Sequence, residues 1–176
     1  MTILVIFCSL QPTPLLSYCS LFNLRFTEDP LDFDTQVKLA IYHHFVETGR
    51  RPAPEDITAR VDAEVDQVLE AYNHLREQRV LVLEEDGVSI CSAPPFSGVP
   101  TQHRVVVSGK EYFANCAWDA LGIPAALQAP GTVFSRCEAS GDPLELQVSL
   151  DGPEASDWYF HCLVPAAQWW QDIVFT

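Results

Sequence analysis

With 176 residues, 48% of them apolar, the chain is long enough to bury a core of its own, and its formal net charge of −14 repels phosphate backbones and anionic lipid surfaces. Nucleic acid and membranes are thereby excluded as natural partners. Cys8, Cys19, Cys91, Cys116, Cys137 and Cys162 form no C-x-x-C or C-x-C pair, so neither a dense disulfide framework nor a zinc ribbon is expected, and the thiols read as reduced in a cytoplasmic protein.

The first twenty-two residues, MTILVIFCSLQPTPLLSYCSLF, are uncharged and apolar, but Pro12 and Pro14 interrupt them and no basic n-region precedes them. Residues 1–31 are therefore expected to be an N-terminal extension, neither a signal nor an anchor. From Thr35 the pattern turns helical. Val37, Ile41 and Phe45 recur at intervals of four and Gly49 closes the segment, predicting a helix over 35–47. The prolines and acidic residues of RRPAPEDITARV predict a second helix over 54–61.

A third helix follows in DAEVDQVLEAYNHLREQR, where Val65, Val68, Leu69, Tyr72 and Leu75 make one apolar stripe and Asp62 is the expected N-cap. Two apolar runs around Asp86-Gly87 signal a hairpin. Three helices and a hairpin outline a winged-helix-like domain over 32–94. Residues 28–90 carry 15 acidic against 6 basic side chains, so this outline is expected to be a scaffold and not a DNA reader.

SAPPFSGVP reads as a linker, with a boundary near residue 95. Beyond it, residues 104–107, 132–136, 144–150 and 158–164 are rich in Val, Leu, Phe and Tyr between Gly, Pro and Asp turns. They predict a small mixed β-sheet domain over 95–176, and the whole chain is expected to be α+β. One helix interrupts this half, in YFANCAWDALGIPAAL, and is expected to stop at Gly122-Ile123-Pro124.

That helix carries the chemistry. With Asn115 as N-cap, Cys116 would lie in the first turn, where free N–H groups and the helix dipole favour a thiolate. Asp119, three residues on, would share its face. A soft anion beside a proton carrier suits a bond between a soft metal and carbon, the thiolate taking the metal and the carboxyl group protonating the carbon. The bland alternative is a buried small hydrophobe at Cys116 and a solvated carboxylate at Asp119. Trp169-Trp170 reads as a core or interface pair, His161 as a structural histidine, and His103 has no assigned role.

PFSGVPT, YFANCAWDALGIPAAL, SRCEASGDPLEL and VPAAQWWQDI together resemble the alkylmercury (organomercurial) lyase family, densely over 96–127 and thinly over the N-terminal helices. The resemblance implies protonolysis of carbon–mercury bonds to a hydrocarbon and Hg(II), with Cys116 as thiolate ligand and Asp119 as proton donor and metal contact. It implies no cofactor beyond an exogenous thiol, an organomercurial substrate, and hand-off of Hg(II) to a mercuric reductase. Cys137 matches a family cysteine of structural character, which its apolar neighbours suit.

The family's second catalytic cysteine stands about ten residues before a Val-Pro pair. Counting back from Val164-Pro165 reaches Ala155-Ser156, and Cys162 would need another loop register to serve as the second metal ligand. Family members continue beyond DIVFT, so a further C-terminal segment is expected to be missing. These departures keep open a non-catalytic soft-metal-binding or regulatory relative.

Overall fold

The computed structural model describes residues 31–159 and 165–171. The described residues form an α+β structure with four α-helices and two sheets. α1 (Phe33–Thr48) is capped by Asp32, whose carboxylate accepts from the Thr35 N–H at 3.0 Å and the Thr35 hydroxyl at 2.7 Å. It ends at Gly49, whose left-handed φ of 71° lets the turn close where a Cβ would sit 2.3 Å from the Glu111 carbonyl oxygen. Val37, Ile41 and Phe45 are buried at the predicted spacing.

α2 (Pro54–Val61) starts on Pro54, and Asp56 accepts from the Ala53 N–H at 2.8 Å. Asp62 is not the N-cap of the next helix. It adopts φ 52° as the C-cap of α2, because only three residues join the helices and one must make the turn. Glu64 caps α3 (Val65–Glu77), and Gln67 reaches back to its N–H at 3.0 Å. The buried stripe is Val68, Ala71, Tyr72 and Leu75; Val65 is exposed and Leu69 half-buried, so the face is rotated from the expected one.

β1 (Val82–Leu83), β2 (Ile90–Ala93) and β3 (Phe96–Ser97) form an antiparallel sheet in that order, the expected hairpin around Asp86-Gly87 joining the first two. The stretch read as a linker is the tight β2–β3 hairpin, turning through a cis Pro94-Pro95 bond. Phe96, 2% exposed, stacks on Phe45 with ring centroids 5.3 Å apart and tilts against Tyr112 at 5.6 Å and Tyr42 at 6.3 Å.

The second sheet has the order β5-β4-β6-β7-β8, formed by β4 (His103–Val107), β5 (Lys110–Ala114), β6 (Gly131–Arg136), β7 (Pro143–Ser149) and β8 (Gly152–Pro153). The expectation of a mixed sheet is corrected, since every pairing is antiparallel. Short turns join β4 to β5, β6 to β7 and β7 to β8, and such turns permit nothing else. The strand expected over 158–164 falls mainly outside the described residues, and Trp158 and Tyr159 lie in no strand. Trp169 and Trp170 sit on a 3₁₀ helix (Ala166–Gln171) and are half-buried.

Val105, Val107, Tyr112, Ala114 and Val133 fill the covered face of this sheet, against α4 (Ala117–Ala126), which crosses from β5 to β6. α4 does not stop at Pro124: the proline lies inside it, two residues before its end, so only the bond to the Ala120 carbonyl is forfeited. A Cβ on Gly131 would meet Val107 Cγ2 at 2.8 Å and Pro124 at 3.2 Å, so the helix end rests close on β6. The β4–β5 hairpin also caps α1, with Lys110 Nζ donating to the Val46 and Glu47 carbonyls at 2.7 and 2.6 Å and Tyr112 Oη to Val46 at 3.0 Å.

Because the Phe96 ring joins β3 to α1 and β5, Phe96→Ala is expected to cost about 3–5 kcal/mol of unfolding free energy by urea denaturation. A loss below about 1 kcal/mol would show that the aromatic cluster is not the joint of the fold.

Candidate active site

The β5–α4 junction assembles the site. β5 ends at the fully buried Ala114, and Asn115 and Cys116 turn the chain into α4. The expected N-cap is displaced by one residue. Cys116, not Asn115, is the cap, with extended φ −144° and ψ 175°, and its sulfur accepts from the Asp119 N–H at 3.5 Å. The Trp118 N–H also points at the sulfur. Cys116 thus occupies the position where serine or aspartate ordinarily satisfies the first free amides of a helix.

Asp119 returns to the same place from the third helical position. Its carboxyl group makes side-chain hydrogen bonds with Cys116 and with Asn115, whose Nδ2 donates to Oδ2 at 3.2 Å. Asn115 Nδ2 also donates to the Ser92 hydroxyl at 2.5 Å. Cys116 and Asp119 are both half-buried, and Trp118 between them is exposed.

Burial is the main cause of both titration shifts. It pushes the Asp119 carboxyl group above the usual carboxylate range, against the lowering pull of its hydrogen bonds to Asn115 and Cys116. It also pushes the Cys116 thiol up; the Asp119 N–H opposes this and the Asp119 charge adds to it. The expected depressed Cys116 thiol is therefore corrected: the helix N-terminus is present, but desolvation and a neighbouring carboxylate outweigh it.

Cys137 differs in the other direction. It opens the turn between β6 and β7 instead of sitting among apolar side chains, and hydrogen bonds from Ser140 and the Ala139 N–H lower its thiol. Cys91 on β2 is raised by burial and lies on a cavity of about 480 Å³ with Leu83, Glu84, Glu85, Asp86 and Val99. A second cavity of about 430 Å³ lies along β4, β6 and β7 between Arg104, Phe134 and Glu145. Neither is lined by Cys116 or Asp119.

Cys162 and His161 lie outside the described residues. Ala155 and Ser156 are exposed. Among the described residues no group of three or more His, Cys, Asp or Glu side chains could hold a metal ion, so Cys116 and Asp119 stand as a pair. His103 Nδ1 lies 2.9 Å from the Ser135 hydroxyl, and burial lowers its pKa.

Two contributors escaped the sequence reading. Ser92 is 4% exposed on β2, where alternation calls for an apolar side chain; a small polar residue at a core position was the available signal. Tyr42 on α1 donates to the Pro94 carbonyl at 2.9 Å, and burial, with the Asp119 charge adding to it, raises its pKa. No pattern on α1 marks it.

Fold and site together define an α+β protein with a thiol and a carboxyl group paired at one helix N-terminus. Residues 96–176 match the family model described as MerB, alkylmercury lyase, which bears out the resemblance read from the motifs. The alkylmercury lyase of Streptomyces lividans is 33% identical over 103 residues, 58% of this chain and 46% of that one. That of Bacillus cereus is 38% identical over 53 residues, 30% of this chain and 24% of that one. The chain spans less than half the length of these curated relatives. A crystal structure of the mercury-bound form of MerB2 shares the fold, with TM-score 0.55 at 22% identity over 69% of this chain and 60% of that one.

At neutral pH iodoacetamide is expected to label Cys137 faster than Cys116, because only the thiolate reacts and the two shifts are opposed. Raising the pH above the usual thiol range should accelerate Cys116 more than Cys137. If Cys116 were labelled fastest at neutral pH, its sulfur would be ionised in the free protein.

Proposed function

We propose that the protein captures organomercurials through Cys116 and cleaves their carbon–mercury bond with a proton from Asp119. The observation that carries this is the meeting of sulfur and carboxyl group at the N-terminus of α4, where the N-cap sulfur accepts from the Asp119 N–H at 3.5 Å and the two side chains interact. The family match over residues 96–176 supports the substrate class.

Capture is a thiol exchange. A substrate R–Hg–SR′ gives up its thiolate, the Cys116 sulfur takes the mercury, and the Cys116 proton leaves with R′SH. Cleavage then breaks the carbon–mercury bond, whose electron pair takes a proton from Asp119 and leaves as the hydrocarbon. A second thiol fills the vacated mercury coordination and returns its proton to the Asp119 carboxylate. The net change turns R–Hg–S–Cys116 and one thiol into RH and mercury held by two sulfurs. A carboxyl group with a raised pKa suits this task, since it carries its proton closer to neutral pH than an exposed aspartate would.

An exogenous thiol supplies the second sulfur in this reading, or Cys162 if its segment brings it to Cys116. A mercuric reductase would take the Hg(II) product, in the cytoplasm. α1 to α3 with the β1-β2-β3 sheet serve as a winged-helix-like scaffold under the site. The exposed Ala155 and Ser156, where the family's second cysteine is expected, favour a second reading in which capture occurs without turnover.

Hydrocarbon release from phenylmercury or methylmercury, with and without excess thiol, separates these readings. Cys116→Ser should lose capture and release. Asp119→Ala should keep capture and lose about 10²–10⁴-fold in release, the usual contribution of a general acid. Cys162→Ser should reduce release in the absence of added thiol only if Cys162 reaches the mercury. Full release by Cys116→Ser would sink the mechanism, and capture without release under every thiol condition would leave the binding protein.

A further inference from the structure

We propose that Asn115 is a positioning residue: its side-chain amide holds one oxygen of the Asp119 carboxyl group beside Cys116, and Ser92 of the β2–β3 hairpin holds the amide. The inference deepens the reading above and rests on the assignment of proton delivery to Asp119.

Three groups in series carry it. Asn115 Nδ2 has two hydrogens, and two acceptors meet it: Asp119 Oδ2 at 3.2 Å and Ser92 Oγ at 2.5 Å. The opposite amide orientation would set the Asn115 carbonyl oxygen against Ser92 Oγ, whose one hydrogen is already given to the Phe96 carbonyl, leaving two acceptors without a proton between them. The chemistry of the partners thus selects the donor. Ser92 is 4% exposed, and its hydroxyl donates onward to the Phe96 carbonyl at 3.4 Å. The series runs from the carboxyl group, across the start of α4, into the hairpin whose Phe96 ring is the centre of the core.

Aspartate side chains rotate about two bonds, and a general acid is effective only within hydrogen-bond reach of the atom it protonates. A carboxyl group tied through Oδ2 to a buried anchor keeps its rotamer while the sulfur beside it exchanges a proton for mercury. Asn115 does not touch the reacting atoms in this arrangement. Its effect passes through Asp119, and its removal should therefore separate cleavage from capture.

The test uses the full chain. Asn115→Leu keeps side-chain volume without hydrogen bonds. It is expected to bind one equivalent of phenylmercury at Cys116 as wild type does and to release benzene about ten- to a hundredfold more slowly, as for loss of a hydrogen bond to a charged group. In an Asp119→Ala background the same substitution should cost nothing further, because the group it positions is gone. Ser92→Ala tests the anchor should Asn115→Leu not fold, with release reduced and capture kept.

Release within twofold of wild type for both variants, or an equal loss in the Asp119→Ala background, would overturn the positioning role. If the wild-type chain releases no benzene, cleavage itself fails, and the tether is decided without mercury. The ¹⁵N–¹H resonances of the Asn115 side-chain amide are expected to shift in Asp119→Ala and in Ser92→Ala. Resonances that stay in place in both would overturn it.

Discussion

The stacking of Phe96 on Phe45 is the contact on which the rest of the structure depends. It places the β2–β3 hairpin between α1 and β5, and each neighbour then has a polar lock of its own. Tyr42 reaches the Pro94 carbonyl, Tyr112 and Lys110 reach the last carbonyls of α1, and Asn115 reaches Ser92. An aromatic ring sets position only loosely, since stacked and tilted arrangements differ little in energy. The hydrogen bonds supply the direction, and partial burial of those from Tyr42, Tyr112 and Asn115 makes them costly to break.

The site inherits this rigidity and adds electrostatic tension. A helix N-terminus favours negative charge, yet burial and the Asp119 carboxylate disfavour a second anion, and the raised thiol shows which wins. Cys116 therefore keeps its proton until something better replaces it. In the proposed reaction a soft cation would do so: mercury bonded to sulfur would remove the like-charge conflict and keep the backbone N–H group as an outer partner. A thiolate already ionised would be open to indiscriminate alkylation and oxidation.

Much of this was legible in the residues. Val37, Ile41 and Phe45 gave α1 by spacing, Gly49 its end, and Asp86-Gly87 the hairpin. The C-x-x-D pair marked the candidate site, and its two residues lie together because a helix brings positions three apart to one face whichever residue is the cap. What failed were features set by tertiary contact. SAPPFSGVP has the composition of a linker, and nothing local says that Phe96 finds three aromatic partners. β5 was missed because Lys110 and Glu111 dilute its apolar pattern, although Tyr112 and Ala114 alternate correctly. The sign of the Cys116 shift was misjudged for the same reason: a helix end is visible in sequence, and its desolvation is not.

The division between capture and cleavage follows from coordination. One thiolate completes the preferred two-coordinate environment of an organomercurial cation, so in the proposed capture Cys116 alone would suffice to hold R–Hg. The carbon of that species is still strongly bonded, and protonating it leaves mercury needing a replacement for the ligand it loses. Without a second sulfur, the departing carbon leaves the metal under-coordinated beside a carboxylate, a hard ligand poorly matched to it. Under the proposed function, a chain that keeps the N-cap cysteine and its tethered aspartate would retain the proton side of the reaction, and its rate would be set by whichever thiol arrives to take the metal's open side.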